Sequence, residues 1–233
     1  MKRNYRTNKG FTLVEMLVSM VLLSMVLLIA SNAYSLFSDR WNGRLGHFNQ
    51  SVVQAKQLIL VQEALKSIVS YVVTNDKEQA KLYFEGNRNG FVAVTLRSLF
   101  SPESAAVMRL QVTQNADFTY ALSYQESAMT EALLINAKQT LSFSEPIILF
   151  DNLKEVKFQY FGWPTTQSKY WTIDSAIAQP EPPTWFNEYN SLAINLQPEQ
   201  IKVTFSTDQG DFSLQAKLTN SVPGVLNSYT DID

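Results

Sequence analysis

Cysteine is absent from the 233 residues, and histidine occurs once, at His47. The first absence excludes a disulfide framework, a thiolate nucleophile and a zinc–thiolate centre. The second leaves little for imidazole-based acid–base or metal chemistry. Glycine and proline are sparse at eight residues each, with no nucleotide-binding glycine pattern and no internal repeat. No proline precedes Pro102, so nothing of that kind interrupts a helix in the first hundred residues. A basic surface is missing too. Four of the 19 basic residues, Lys2, Arg3, Arg6 and Lys9, fall in the first ten positions, which hold no acid; the other 15 stand against 21 acidic residues, a net −6. That balance argues against nucleic-acid binding. Only carboxylate pairs remain for catalysis, and no spacing singles one out. The chain reads as a non-enzyme without cofactor or metal centre.

What is present is enough apolar matter for a core, at 45% hydrophobic and 12% aromatic residues, and one long apolar run. Phe11 to Ala30 is broken only by Thr12, Glu15, Ser19 and Ser24. As a helix it would be about 30 Å long, the thickness of bilayer hydrocarbon. It follows a cationic segment that is held on the cytoplasmic side. A cleavable export signal usually has a shorter apolar core of about 7–15 residues, although Ser31-Asn32-Ala33 offers an ordinary cleavage site. An acid inside a membrane helix costs roughly 2.5–3.5 kcal/mol, somewhat less near the interface, and is by default functional. A cut between Gly10 and Phe11 would free an ammonium at Phe11. Within one helix that amine lies along the axis, badly placed for Glu15. Between two axially shifted helices, the Glu15 of one neutralises the amine of the other.

Lys9-Gly10-Phe11-Thr12-Leu13-Val14-Glu15-Met16-Leu17-Val18 resembles the class III signal of type IV pilins and type II secretion pseudopilins. The resemblance implies cleavage by a prepilin peptidase between Gly10 and Phe11, N-methylation of Phe11, and an assembly role for Glu15. It also implies an inner-membrane, single-pass protein of a Gram-negative envelope, with a cytoplasmic leader and a periplasmic C-terminal domain.

Beyond the membrane, Phe37, Trp41, Leu45, Phe48, Val52, Ala55 and Ile59 recur at helical spacing. Leu65 and Val69 continue the stripe after a gap at Gln62. The reading is a continuous amphipathic helix to Val73 whose part from Val52 to Val69 packs on the globular domain, with Gly43 and Gly46 as its weak point. His47 is expected on its solvated surface. From residue 81 the period changes to that of strands: a hairpin from Leu82–Glu85 through Gly86–Gly90 to Phe91–Leu96, then Val107–Val112, Phe118–Tyr124, Ser142–Phe150, Val156–Phe161, Gln200–Ser206 and Phe212–Leu218. Asp208-Gln209-Gly210-Asp211 has a faint look of a calcium loop, but such clusters are usually plain turns. The expected fold class is α+β, pilin-like: a long N-terminal helix packed on a mostly antiparallel β-sheet. The expected divisions are a cleaved leader (1–10), a transmembrane and assembly helix (11–30), an amphipathic helix (31–73) and a β-rich periplasmic domain (74–233).

Trp163, Tyr170, Trp171, Trp185, Phe186 and Tyr189 crowd around Pro180-Glu181-Pro182-Pro183. They read either as a satellite core or, for Trp163, Trp185, Phe186 and Tyr189, as a partner contact. Asn32 stands where major pilins often have a proline, and the chain is larger than most of them. Leu153, Val156, Phe158 and Tyr160, then Pro198, Ile201, Val203 and Thr204, are similar to the C-terminal strands of J-type minor pseudopilins and of W-type minor pilins, with Gln197-Pro198 where leucine-proline is usual. This resemblance implies a minor pseudopilin of a type II secretion system, in a tip complex that primes or caps the pseudopilus. Its implied partners are the I- and K-type minor pseudopilins, the major pseudopilin, the prepilin peptidase and the inner-membrane assembly platform. The alternatives are a minor pilin of a type IV or mannose-sensitive pilus, or a single-pass anchored periplasmic module.

Overall fold

The computed structural model describes residues 12–130, 132–169, 181–208 and 210–218, and of residues 39–51 the backbone alone. The chain divides into two units, Met1–Ala55 and Lys56–Asp233. Residues 13–55 of the first belong to a single helix, α1 (Leu13–Lys66). Its segment Leu13–Ser38 has a mean hydropathy of 2.6 and no buried share. The helical backbone continues through Gly43 and Gly46.

The second unit takes the last turns of α1 and all strands. Val61, Ala64 and Leu65 are buried against it, whereas Val52 and Ile59 are exposed. The packing face coincides with the stripe read in the sequence only beyond the gap at Gln62, at Leu65. The core-facing row is Leu58, Val61, Leu65 and Ile68. The helix also closes earlier than Val73. Ile68, the last member of that row, already belongs to β1 (Ile68–Val69), and β2 (Val72–Thr74) follows. Branched residues at 68, 69, 72 and 73 favour strand over helix once sheet partners are at hand.

The remaining order is β3 (Ala80–Leu82), β4 (Phe84–Asn87), β5 (Gly90–Thr95), β6 (Ala106–Gln114), β7 (Tyr120–Ala128), β8 (Ile147–Leu153), β9 (Glu155–Gly162), α2 (Thr166–Lys169), β10 (Thr184–Phe186), β11 (Tyr189–Asn190), α3 (Ser191–Ile194), β12 (Gln200–Thr207) and β13 (Gly210–Lys217). All paired strands run antiparallel. The larger sheet has the order β11-β4-β5-β6-β7-β8, with β1 beside the end of β5; the second is β10-β9-β12-β13; β2 and β3 form a ribbon. The architecture is α+β: a long N-terminal apolar helix followed by mostly antiparallel sheets.

Burial explains the two strand patterns. In β9 and β12 buried residues alternate with more exposed ones, because one sheet face meets the core. β5 and β7 are buried on nearly every residue. One face of each meets the main core; the other face of β5, with Val92 and Val94, meets a second cluster that includes Val73, Tyr83 and Leu134. Aromatic rings join the sheets: Phe84 lies 5.6 Å from Tyr160, Phe91 lies 5.7 Å from Phe158, and Phe150 lies 5.0 Å from Phe205. The Tyr160 hydroxyl lies 2.8 Å from both the Asn87 and the Gly90 carbonyl oxygens and donates to that pair, so the β4–β5 turn is fastened to the second sheet. Leu153 to Glu155 carries the chain from one sheet to the other, and Lys154 N–H donates to Ser206 O at 2.8 Å.

Candidate functional site

Gly10 and Phe11 lie outside the described residues, as do Tyr170 and Trp171, so the geometry near the processing point begins at Thr12. Glu15 sits in the first turn of α1 and is exposed. Its Oε2 accepts from the Thr12 backbone N–H at 3.0 Å and from the Thr12 hydroxyl at 2.9 Å, and the Glu15 N–H donates back to Thr12 Oγ1 at 3.3 Å. This is the reciprocal pattern of a capping box, which satisfies N–H groups that a helix start leaves without partners. Thr12, an interruption of the apolar run in sequence, is thus the capping partner of Glu15; the Thr-x-x-Glu spacing was its signal.

The two other polar residues of the apolar run are also satisfied within it. Ser19 Oγ donates to Glu15 O at 2.7 Å and Ser24 Oγ donates to Met20 O at 2.8 Å. In lipid, where no water is available, this internal bonding is what makes a hydroxyl tolerable. Every residue from Leu13 to Phe37 is exposed. An apolar surface of that length calls for lipid or for other apolar helices around it.

The aromatic candidates separate by burial. Tyr189 is 4% exposed and belongs to the core; its hydroxyl donates to Trp163 O at 3.2 Å, and burial pushes its pKa up. It is not a surface contact. Phe186 packs against it, ring centroids 6.2 Å apart. Trp163 is half-buried, donates through Nε1 to Glu181 O at 2.7 Å, and lies under the Lys169 ammonium at 4.6 Å. Trp185 is 38% exposed, beside Phe161 at 5.1 Å, on the outer strand β10. Of the four, Trp185 offers the most open ring.

Asp208 pairs with Lys154 at 2.9 Å, and Asp211 accepts from the Ser206 hydroxyl. Each carboxylate is engaged separately in the β12–β13 turn, and no group of three metal-ligating side chains converges among the described residues. A cavity of about 710 Å³ lies on the β4–β5–β6 face, bordered by Glu85, Arg109, Gln111 and Asn190. Glu85 there accepts from Asn190 and Arg109 stacks on Phe143, so both charges have structural partners. The His47 side chain lies outside what the structure describes.

Residues 5–31 match the family model described as the prokaryotic N-terminal methylation motif. No curated protein matches the chain. The match covers the end of the cationic leader with Arg6 and Lys9, then Gly10, Phe11, Thr12, Glu15 and the apolar start of α1. The chain carries at its N-terminus the methylation motif that serves as the signal of type IV pilins and pseudopilins.

Proposed function

We propose that this chain is a minor subunit of a pilin-like filament, specifically a minor pseudopilin of a type II secretion system acting in the tip complex that primes or caps the periplasmic pseudopilus. The observation that carries the reading is the methylation motif over residues 5–31; counted from the proposed cut, Glu15 is the fifth residue. The fully exposed apolar helix behind it fits the same role. A prepilin peptidase removes residues 1–10 and the new amine at Phe11 is methylated. Glu15 then guides docking by neutralising the Phe11 amine of a neighbouring subunit. Apolar helices replace lipid around one another, so leaving the bilayer exposes little apolar area to water. The assignment to the J-type class rests on the C-terminal residues alone: Leu153 at the end of β8, Val156, Phe158 and Tyr160 of β9, then Pro198 and, in the paired strand β12, Ile201, Val203 and Thr204. The partners in this reading are the I- and K-type minor subunits, the major pseudopilin and the inner-membrane platform.

The deciding experiment is the N-terminal mass of the protein taken from membranes with and without a prepilin peptidase. A chain beginning at methylated Phe11, lost without the peptidase, is expected. A chain retaining residues 1–10 in both strains leaves an anchored periplasmic module as the reading. Deletion of the gene then selects the machine: loss of exoprotein secretion with surface fibres intact supports the pseudopilin, and the reverse pattern replaces it with a minor pilin.

A further inference from the structure

Strand β13 is the outer strand of its sheet, bonded to β12 alone among the described strands. It pairs with β12 over eight consecutive residues without a bulge. Exposed edges of this kind are normally blunted by a proline, a bulge, an inward-pointing charge or a short length. β13 contains no proline, and its two charges, Asp211 and Lys217, lie near its ends on the polar face. Its other face carries Phe212 and Leu214, both only half-buried against the core, and Ala216, which is buried.

The phase of its hydrogen bonding is fixed by Leu218, whose N–H donates to Glu199 O at 2.8 Å. In an antiparallel ladder alternate residues bond to the same side. Phe212, Leu214 and Ala216 therefore turn their backbone groups to β12. Asp211, Ser213, Gln215 and Lys217 turn theirs outward, with no strand beyond them among the described residues.

We propose that β13 pairs antiparallel with β13 of a second copy of this chain, about a twofold axis through Leu214. The strand is self-complementary in that register. Asp211 stands opposite Lys217 at both ends, Ser213 opposite Gln215, Phe212 opposite Ala216, and Leu214 opposite itself. The outward-turned residues become the hydrogen-bonded pairs, giving about eight backbone bonds between copies. Because the side-chain period is two, each polar face continues as a polar face and each apolar face as an apolar one. The pairing joins two four-stranded sheets into one of eight and covers the exposed sides of Phe212 and Leu214. Opposite charges directly across a ladder favour this register, and a one-residue slip would set Leu214 against a polar neighbour. The occupant is thus a second copy. The inference does not depend on filament assembly.

The test uses the full chain in membranes of a strain lacking prepilin peptidase, so that filament growth is not a source of contacts. The native chain has no cysteine, and Leu214→Cys places a thiol on the axis, where paired Cα atoms lie about 4.5 Å apart and a disulfide fits. Mild oxidation is expected to give a species of twice the chain mass, while Leu96→Cys, on a residue 60% exposed elsewhere, gives none. Adding Asp211→Lys sets like charges opposite at both ends and is expected to lower the cross-linked yield about tenfold. Asp211→Lys with Lys217→Asp restores it. As a measurement that leaves the core untouched, a tagged and an untagged cysteine-free copy are expected to co-purify, with the same loss and rescue. Three results overturn the proposal: no dimer from Leu214→Cys although its thiol is open to maleimide, a dimer indifferent to the charge variants, or a cross-linked species of another mass.

Discussion

Glu15 caps the start of α1 through Thr12, and the docking role proposed for it asks something different of the same carboxylate. As a cap it needs only an oxygen that accepts from Thr12; as a docking group it needs a charge. Glu15→Gln keeps the oxygen and removes the charge. In the proposed role the glutamine variant is expected to be made, inserted and processed, yet to be missing from sheared filaments and from cross-links to the major subunit. Normal incorporation would reduce Glu15 to its cap. The methylation motif was legible because it is local, carried by consecutive positions near the N-terminus. Glu126 was not. In Tyr120–Ala128 it reads as an ordinary polar strand position, yet it is 5% exposed. Its carboxylate accepts from the Ser98 hydroxyl, from Leu99 N–H at 3.1 Å and from the Tyr124 hydroxyl at 2.6 Å. Two of those partners come from a loop far away in the chain, so no local pattern announces them. Glu126→Ala leaves these donors without their acceptor and is expected to cost about 1–3 kcal/mol, read from denaturant unfolding of the full chain in detergent.

Among the elements, the strands were easier to find than the end of the helix. β12 and β13 show apolar alternation over seven residues, and β9 over six before Phe161. β1, β10 and β11 are two or three residues long, too short for a period to show. α1 ends where sheet pairing competes successfully with helix continuation, a tertiary effect invisible in the stripe. The β4–β5 turn shows how closely the elements fit. A Cβ added at Gly86 would lie 2.4 Å from the Tyr160 ring, within the clash range. Gly86→Ala is therefore expected to displace the ring and destabilise by about 1–3 kcal/mol. Tyr160→Phe keeps the ring and removes the hydroxyl that reaches Asn87 O and Gly90 O, for about 1–2 kcal/mol. The double variant should cost less than the sum of the two, which thermal melts of the four proteins would show.

For the molecule as a whole, three of the buried tyrosines set an alkaline limit. Burial raises the pKa of Tyr124, Tyr160 and Tyr189 above the ordinary value of about 10. Between the unfolded and folded values the native state holds more protons, so stability is full below about pH 10 and falls as pH rises beyond it. Tyrosinate absorbance is expected to grow together with loss of the sheet circular-dichroism signal, in one transition; ionisation of these three while the sheet persists would contradict that burial. The α+β class was readable from the change of period after the helix. The division into two sheets was not, because it depends on Leu153 to Glu155 crossing between them and on rings that meet only in three dimensions. The Tyr160 clasp on the β4–β5 turn also reaches beyond this one chain. A ring that fits only over a residue without a side chain couples two positions 74 apart in sequence. Across diverging relatives, positions 86 and 160 should change together or not at all, and a lineage that gained a side chain at 86 should already have lost the ring.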